Sequence, residues 1–350
     1  KNLILKLIQE GYEVHAIAPF DDYSNKLEEL GCVFHHIDMD SKSKNPISDV
    51  FLLKRIKNTL KEINLDVLLN FTIKPNIYGT LAASSLGVSC VNNVAGMGTL
   101  FTEGILARTL FKGLFKISQK KASTVFFQNP DDLEELTKNN IVDVNISELL
   151  PGSGVNLKEF PYIPISKTKS INFLLIARMI YPKGIVELVE ASKILKNKGY
   201  VFHVKLLGEL GVNNPNVIEK TDFDKLCSPN YITYLGKTDD VKLVIQDCDV
   251  VVLPSYYREG TPKSLLESLG TGRPIITTDM PGCKETVIDG VNGFLCKPKS
   301  IEDLSNKMEK ILNCNFDDLL KMGEESRKLA MNKYDEKIVI SKYVNAINNC

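Results

Sequence analysis

The sequence predicts two doubly wound α/β domains in tandem, and three observations predict it. Short apolar, β-branched runs such as Val250-Val251-Val252-Leu253 lack polar alternation, as parallel strands buried on both faces require. Helical patterns separate these runs throughout, and strands alternating with helices mean a parallel sheet covered on both sides. The alternation breaks once, at Pro151-Gly152-Ser153-Gly154-Val155-Asn156 with Pro161 and Pro164 beyond it, and then restarts. The expected domains are 1–163, joined by a crossing C-terminal helix over 334–350, and 164–333.

In order, Lys1 to Gln9 reads as a helix with Leu3, Ile4, Leu7 and Ile8 on one face, and Gly11 ends it ahead of a strand over 13–18. A helix leading straight into a parallel strand implies a strand before it, so the first strand and its glycine-rich turn are expected upstream of Lys1. Helix 23–30, strand 33–38, helix 47–63, strand 66–70, helix 76–86 and strand 89–93 follow. After a loop over 94–103 come helix 105–122, strand 124–128, helix 130–138 and strand 146–149. The second half runs strand 172–177, helix 184–196, strands 203–207 and 232–235, helix 241–246, strand 249–254, a helix from 262, and strands 274–277 and 294–297. Helices over 301–312, 316–332 and 336–349 complete it. Two Rossmann-like sheets in tandem are expected to leave a cleft between their strand C-terminal ends.

At 350 residues and 43% hydrophobic content the chain can bury more than one core. Lysines plus arginines number 43 and aspartates plus glutamates 43, so no global field draws the chain to nucleic acid. The eight cysteines form no Cys-x-x-Cys pair, and His15, His35, His36 and His203 form no ligand cluster with them, which argues against zinc and against a disulfide framework. No bound metal or cofactor is expected. No apolar run is long enough for a membrane span, and no signal peptide is visible.

The chemistry concentrates around Pro254 to Glu267. Thr261 is a candidate N-cap with Pro262 at the first helical position, so Glu259 lies in the loop and Glu267 about a turn and a half into the helix. The free N–H groups of Lys263 and Ser264, with the positive end of the helix dipole, form an anion site suited to phosphate. A carboxylate before that turn suits a sugar and one after it the vicinal hydroxyls of a ribose, which suggests a sugar nucleotide. Taken alone, both glutamates also fit a solvated surface. Arg178 and Lys183 follow the strand that ends at Ala177 and place two cations where a leaving diphosphate needs neutralising. Gly208 and Gly236-Lys237-Thr238 end the neighbouring strands. Each is weak singly, and together they line one crevice.

Arg178 with Lys183-Gly184, Glu259-x7-Glu267, Gly272-Arg273-Pro274-Ile275-Ile276, Gly282-Cys283-Lys284-Glu285 and Asp289 to Leu295 together resemble the retaining glycosyltransferases of family 4, with the GT-B fold. The first half is similar to the capsule and O-antigen branch of that family through Asn92-Asn93-Val94-Ala95-Gly96-Met97-Gly98, Phe126-Phe127-Gln128-Asn129-Pro130 and Pro151-Gly152-Ser153-Gly154-Val155. The resemblance implies transfer of a sugar from a nucleotide donor, a UDP-sugar, to a lipid-linked glycan acceptor in bacterial surface polysaccharide assembly. It implies that Arg178 and Lys183 bind the donor diphosphate and that Glu259 holds the donor sugar. Glu267 would bind the ribose, while Gly260, Thr261, Lys263, Ser264, Gly208 and Lys237 complete the donor set. Attack would come on the face from which the nucleotide leaves, without an obligatory metal. Many relatives carry a histidine in the loop that here spans 94–103; this chain has none there, so no acid or base is assigned to it. The same fold also serves UDP-sugar 2-epimerases, and a non-catalytic nucleotide-sugar-binding subunit is the third reading.

A last feature concerns lipid. Between Glu103 and Asp131 there is no acid, while Arg108, Lys112, Lys116 and Lys120 recur every fourth residue and Lys121 adds a fifth charge. That spacing draws a basic stripe along a helix beside the acceptor-side domain. The expectation is salt-sensitive peripheral binding to the anionic inner face of the cell membrane from the cytoplasm. The alternative is a core-facing helix whose lysines meet water.

Overall fold

The computed structural model describes residues 1–40, 45–97, 105–167 and 170–350, with the backbone alone for residues 46 and 105–111. The chain divides into two compact units, Lys1–Leu150 with Lys337–Cys350, and Pro151–Glu336.

In the first unit α1 (Asn2–Gln9) leads to β1 (His15–Ala18), α2 (Ser24–Glu29), β2 (Val33–His36) and α3 (Pro46–Ile63). Asn45 caps α3 by accepting from Ile47 N at 3.0 Å. Next come β3 (Val67–Phe71), a π-helical turn (Pro75–Gly79), α4 (Thr80–Ser85), β4 (Ser89–Val94), α5 (Ile105–Gln119), β5 (Thr124–Phe127), α6 (Pro130–Lys138) and β6 (Ser147–Leu149). β1 and β2 form a parallel pair, and β3-β4-β5-β6 form a separate four-stranded parallel sheet. The single helix expected over 76–86 thus begins as a π turn. A Cβ on Gly79 would lie 2.3 Å from Asn70 Oδ1, so a larger residue in the turn would displace the Asn70 amide.

Beneath that turn lies a buried amide network. Asn70 donates to Asn92 Oδ1 (2.9 Å), Asn92 donates to Gln119 Oε1 (2.7 Å), Gln119 donates to Asn76 O (2.9 Å), and Asn76 donates to Asn93 O (2.8 Å). Each bond answers a polar group that burial would otherwise leave costly. Asn93 bonds Tyr343 Oη of the last helix and accepts from Gln128 Nε2 at 3.2 Å.

The second unit contains β7 (Ile171–Ile176), α7 (Ile185–Asn197), β8 (Phe202–Leu207), α8 (Lys220–Leu226), β9 (Ile232–Tyr234), α9 (Val241–Gln246), β10 (Val250–Leu253), α10 (Lys263–Thr271), β11 (Ile275–Thr278), β12 (Gly293–Cys296), α11 (Ile301–Leu312) and α12 (Phe316–Lys333). Its six strands pair in the parallel order β12-β11-β10-β7-β8-β9. Side chains alternate between two cores. Phe173, Leu175, Val204, Val250 and Val252 pack with Leu188 and Met308 on one face, and Leu174, Val251 and Ile275 with Leu265, Leu266 and Leu269 on the other. α8 leaves no apolar period in the sequence, because its seven residues carry Phe223 as their one buried anchor.

The last helix, α13 (Glu336–Asn348), packs Val339, Tyr343 and Ala346 against Val91, Phe126 and Leu150 of the first unit. The boundaries differ from those expected at 163/164 and 333/334. Val155 and Phe160 sit in the second unit's core, and two arginines bind the segment to it. Arg327 donates to Phe160 O at 2.9 Å and to Gly270 O. Arg273, 1% exposed, donates from Nη1 to Ile163 O (2.8 Å), from Nε to Ile245 O (3.0 Å) and from Nη2 to Gln246 O (3.0 Å). Arg273→Met would orphan three acceptors at roughly 1 kcal/mol or more each, so chemical denaturation should show the second unit weakened by about 3 kcal/mol; an unchanged midpoint would refute this role.

Candidate active site

The strand order of the second unit reverses between β7 and β10: β8 and β9 extend to one side, β11 and β12 to the other. The loops leaving such neighbours diverge and open a crevice at the strand C-terminal ends. Arg178, Lys183 and residues 254–262 all lie on these two loops.

After β7 the chain turns through a short 3₁₀ helix, Tyr181–Lys183, and Gly184 takes the left-handed conformation at φ 77° before α7 begins. A Cβ there would lie 2.2 Å from Pro254 O, so the turn packs directly on the chain leaving β10. That approach brings Lys183 Nζ into an ion pair with Glu259 Oε1, the side chains only 12% and 14% exposed. Ser255, wholly buried, donates from Oγ to Glu259 Oε1 (3.0 Å) and lies 3.2 Å from Pro182 O. Tyr256 N donates to Pro182 O at 2.9 Å. From the other side Glu259 N donates to Pro281 O (3.3 Å), and Gly282 packs so closely that a Cβ would meet Gly260 O at 1.7 Å. Sequence reasoning missed Ser255, since a serine before a loop carries no signal until its partners are placed.

α10 starts at Lys263, with Pro262 rather than Thr261 at the N-cap and no side-chain cap bond. Thr261, the expected cap, instead packs against Gly152, whose Cβ position is 2.6 Å from Thr261 Cβ. The first-turn amides of α10 therefore keep their anion-binding capacity. Glu267 is buried on this helix, its carboxylate 3.4 Å from the exposed Lys263 ammonium. Burial pushes the Glu267 carboxyl above the usual carboxylate range, and Lys263 pulls the other way. A desolvated carboxylate of this kind gains most from a ligand's hydroxyl donors.

Arg178 is exposed just past β7. Burial, then the charge of Glu259, raises the Tyr257 phenol, and Arg178 lowers it, so the three groups sense one another. Gly208 N donates to Gly236 O at 2.8 Å, and a Cβ on Gly208 would lie 1.8 Å from Ala177 O, so the ends of β7, β8 and β9 abut. Lys237, exposed, lies 3.8 Å from Glu209. The donor-set residues thus occupy neighbouring strand ends of one unit. In the first unit, α5 ends at Gln119, so Lys120 and Lys121 lie beyond the helix expected to reach 122. Lys112 and Lys116 are half-buried, Phe115 is in the core and Ile117 is exposed. The side chain of Arg108 and most of the loop 94–103 lie outside the described residues.

Gly184→Ala places a Cβ in the left-handed region and against a carbonyl; the expected outcome is a loss of about 1–3 kcal/mol of stability, read as a lower thermal midpoint. A midpoint equal to that of the unaltered chain would contradict the close approach.

Comparison with known proteins follows the same division. Residues 159–329 match the family described as Glycosyl transferases group 1, and residues 1–129 match Glycosyl transferase 4-like. The chain is 29% identical over 354 residues to the N,N'-diacetylbacillosaminyl-diphospho-undecaprenol alpha-1,3-N-acetylgalactosaminyltransferase of Campylobacter jejuni, covering 95% of this chain and 90% of that protein. It is 28% identical over 287 residues to the UDP-Gal:alpha-D-GlcNAc-diphosphoundecaprenol alpha-1,3-galactosyltransferase of Escherichia coli, covering 76% and 73%. A glycosyltransferase crystal structure from Rickettsia africae superposes with a TM-score of 0.82 at 20% identity, over 99% of this chain and 92% of that one. Region by region the chain matches the 4-like and the group 1 glycosyl transferase families, and it is a glycosyltransferase of the GT-B fold.

Proposed function

We propose that this chain transfers a sugar, with retention of anomeric configuration, from a UDP-sugar to a lipid-linked glycan acceptor in bacterial surface polysaccharide assembly. The observation that carries the reading is the grouping of the Lys183–Glu259 pair, Arg178 and the uncapped start of α10 around one strand-order reversal. Arg178, Lys183 and the first-turn amides near Lys263 and Ser264 offer positive charge to a diphosphate as it departs. Glu259 holds the donor sugar, and Glu267 accepts from the ribose hydroxyls. The acceptor attacks on the face the nucleotide leaves, and the departing phosphate takes its proton. Because the cations and the helix terminus supply the charge, no divalent metal is required. The two curated relatives act, by name, on undecaprenyl-diphosphate-linked sugars, which supports a lipid-linked acceptor here.

The first unit holds the acceptor in this proposal, and Lys112 and Lys116 of α5, with Lys120 and Lys121 after it, meet the anionic inner leaflet from the cytoplasm. None of the described helices is long and apolar enough to cross a membrane.

The test follows UDP release from a panel of UDP-sugars, with and without a polyprenyl-diphosphate-linked acceptor. Acceptor-dependent release that survives chelator is expected, with Glu259→Gln lowering turnover about 10²–10³-fold. Release from no donor, or a strict Mg²⁺ or Mn²⁺ requirement, would count against the reading.

Acidity gives a second test. Glu267 binds hydroxyls as the carboxylate, and its pKa is raised, so protonation sets in at higher pH than for an ordinary glutamate. UDP affinity, measured by calorimetry, should fall as the pH is lowered from about 7 toward that raised value, whereas Glu267→Gln should bind weakly and flatten the dependence. A pH profile identical in the two proteins would remove Glu267 from the site.

A further inference from the structure

The turn between β12 and α11 is fixed at both ends. Lys297 N donates to Asp303 Oδ2 at 2.7 Å, and Ser300 caps α11 by accepting from Asp303 N at 3.2 Å. Between them Lys299 takes the left-handed conformation at φ 59°; among the described residues of the second unit it is the one residue other than glycine to do so. Glycine or asparagine meets that backbone at lower cost, so a lysine there points to a contact its side chain makes. That contact is aromatic, with Lys299 Nζ 4.6 Å from the centroid of the Tyr256 ring. Glu187, in the first turn of α7, belongs to the same cluster. Burial pushes its carboxyl above the usual carboxylate range, while its own backbone amide and the Lys299 charge draw it down. Burial, then Glu187 and Tyr181, raises the Tyr256 phenol. Glu187 Oε2 is buried and accepts no hydrogen bond among the described residues, and Lys299 is the cation that the carboxylate senses.

Tyr256 belongs to the loop that shapes the site. Its backbone N donates to Pro182 O at 2.9 Å, and the neighbouring Ser255 Oγ lies 3.2 Å from the same carbonyl and donates to Glu259 Oε1 at 3.0 Å. Anchoring the Tyr256 ring therefore restrains the backbone from which Glu259 projects. We propose that Lys299 is a positioning residue: through the Tyr256 ring, with Glu187 facing its charge, it fixes the loop after β10 and so presents Glu259 to the donor sugar. The inference rests on the donor-site reading above and adds a third loop, the one after β12, to the two that meet there. Lys299 is exposed, so its side chain can be altered without opening the core.

Lys299→Asn removes the cation and keeps a side chain suited to the left-handed turn, so the thermal midpoint should not fall. Hydrogen exchange at the Tyr256 and Glu259 amides should quicken about two- to fivefold, the range that an exposed cation–ring contact supports, with β10 unchanged. Tyr256→Leu should do the same, and joining the two substitutions should add nothing further. Lys299→Arg and Tyr256→Phe, which keep cation and ring, should exchange as the unaltered chain does. Calorimetry with UDP-galactose and UDP-N-acetylgalactosamine should show affinity lowered about two- to fivefold in Lys299→Asn. Affinity for UDP should be unchanged, since the Glu259 contact is to the sugar. Exchange in Lys299→Asn equal to that of the unaltered chain, or effects of the two substitutions that multiply, would overturn the proposal. Faster exchange with sugar-nucleotide affinity untouched would do so too, the contact then serving structure alone. A fall in UDP affinity without faster exchange would overturn it as well, because Lys299 would then touch the diphosphate itself. Binding of neither sugar nucleotide by the unaltered chain would count against the UDP-sugar reading, while the exchange rates decide by themselves whether Lys299 holds the loop.

Discussion

The half-buried ion pair between Lys183 and Glu259 joins two loops of the second unit at the site. Two charges largely removed from water are tolerated only with close geometry and further hydrogen bonds, and both are present. Ser255 donates to the same carboxylate, while Gly184 and Gly282 let backbone approach from either side where any side chain would collide. The pair thereby locks the turn after β7 to the loop after β10, the two segments that diverge at the reversal of strand order. Its electrostatic consequence is a division of labour: Lys183 is held by a carboxylate, and Arg178 stands exposed at the strand end.

The two units bury polarity differently. In the first, Asn70, Asn76, Asn92 and Gln119 link through amide hydrogen bonds below a π turn, a neutral network that joins α5 and the π turn to the sheet. In the second, Arg273 and Arg327 donate to backbone carbonyls and so tie residues 157–163 to the core of the strands that come after them. A guanidinium suits that task because its donors fan out in a plane and reach several carbonyls at once. Gly152 then rests on Thr261, and the segment that separates the units in sequence also shapes the start of α10.

That helix start shows how function and stability pull against each other. A capping side chain at Pro262 would satisfy first-turn amides and stabilise α10, yet it would occupy the groups an anion needs. Glu267 is likewise held where water solvates it poorly, which raises its pKa.

Much of this was legible in the chain alone. Apolar β-branched runs between helical patterns determined the central strands, such as β10, because a strand covered on both faces admits little else. The placement of Glu259, Arg178 and Lys183 on loops and of Glu267 on an early helical turn was legible from their spacing after a strand end. Tertiary structure decided what spacing cannot carry. It paired Lys183 with Glu259 across 76 residues and recruited Ser255. It turned Asn92 and Asn93 from motif letters into members of a buried network, and it drew residues 151–163 into the second unit. It also turned Phe115 of the basic helix into the core while leaving Ile47, Val50 and Phe51 of α3 in water. Periodicity tells which residues share a helix face; only the packed neighbours decide which face is covered.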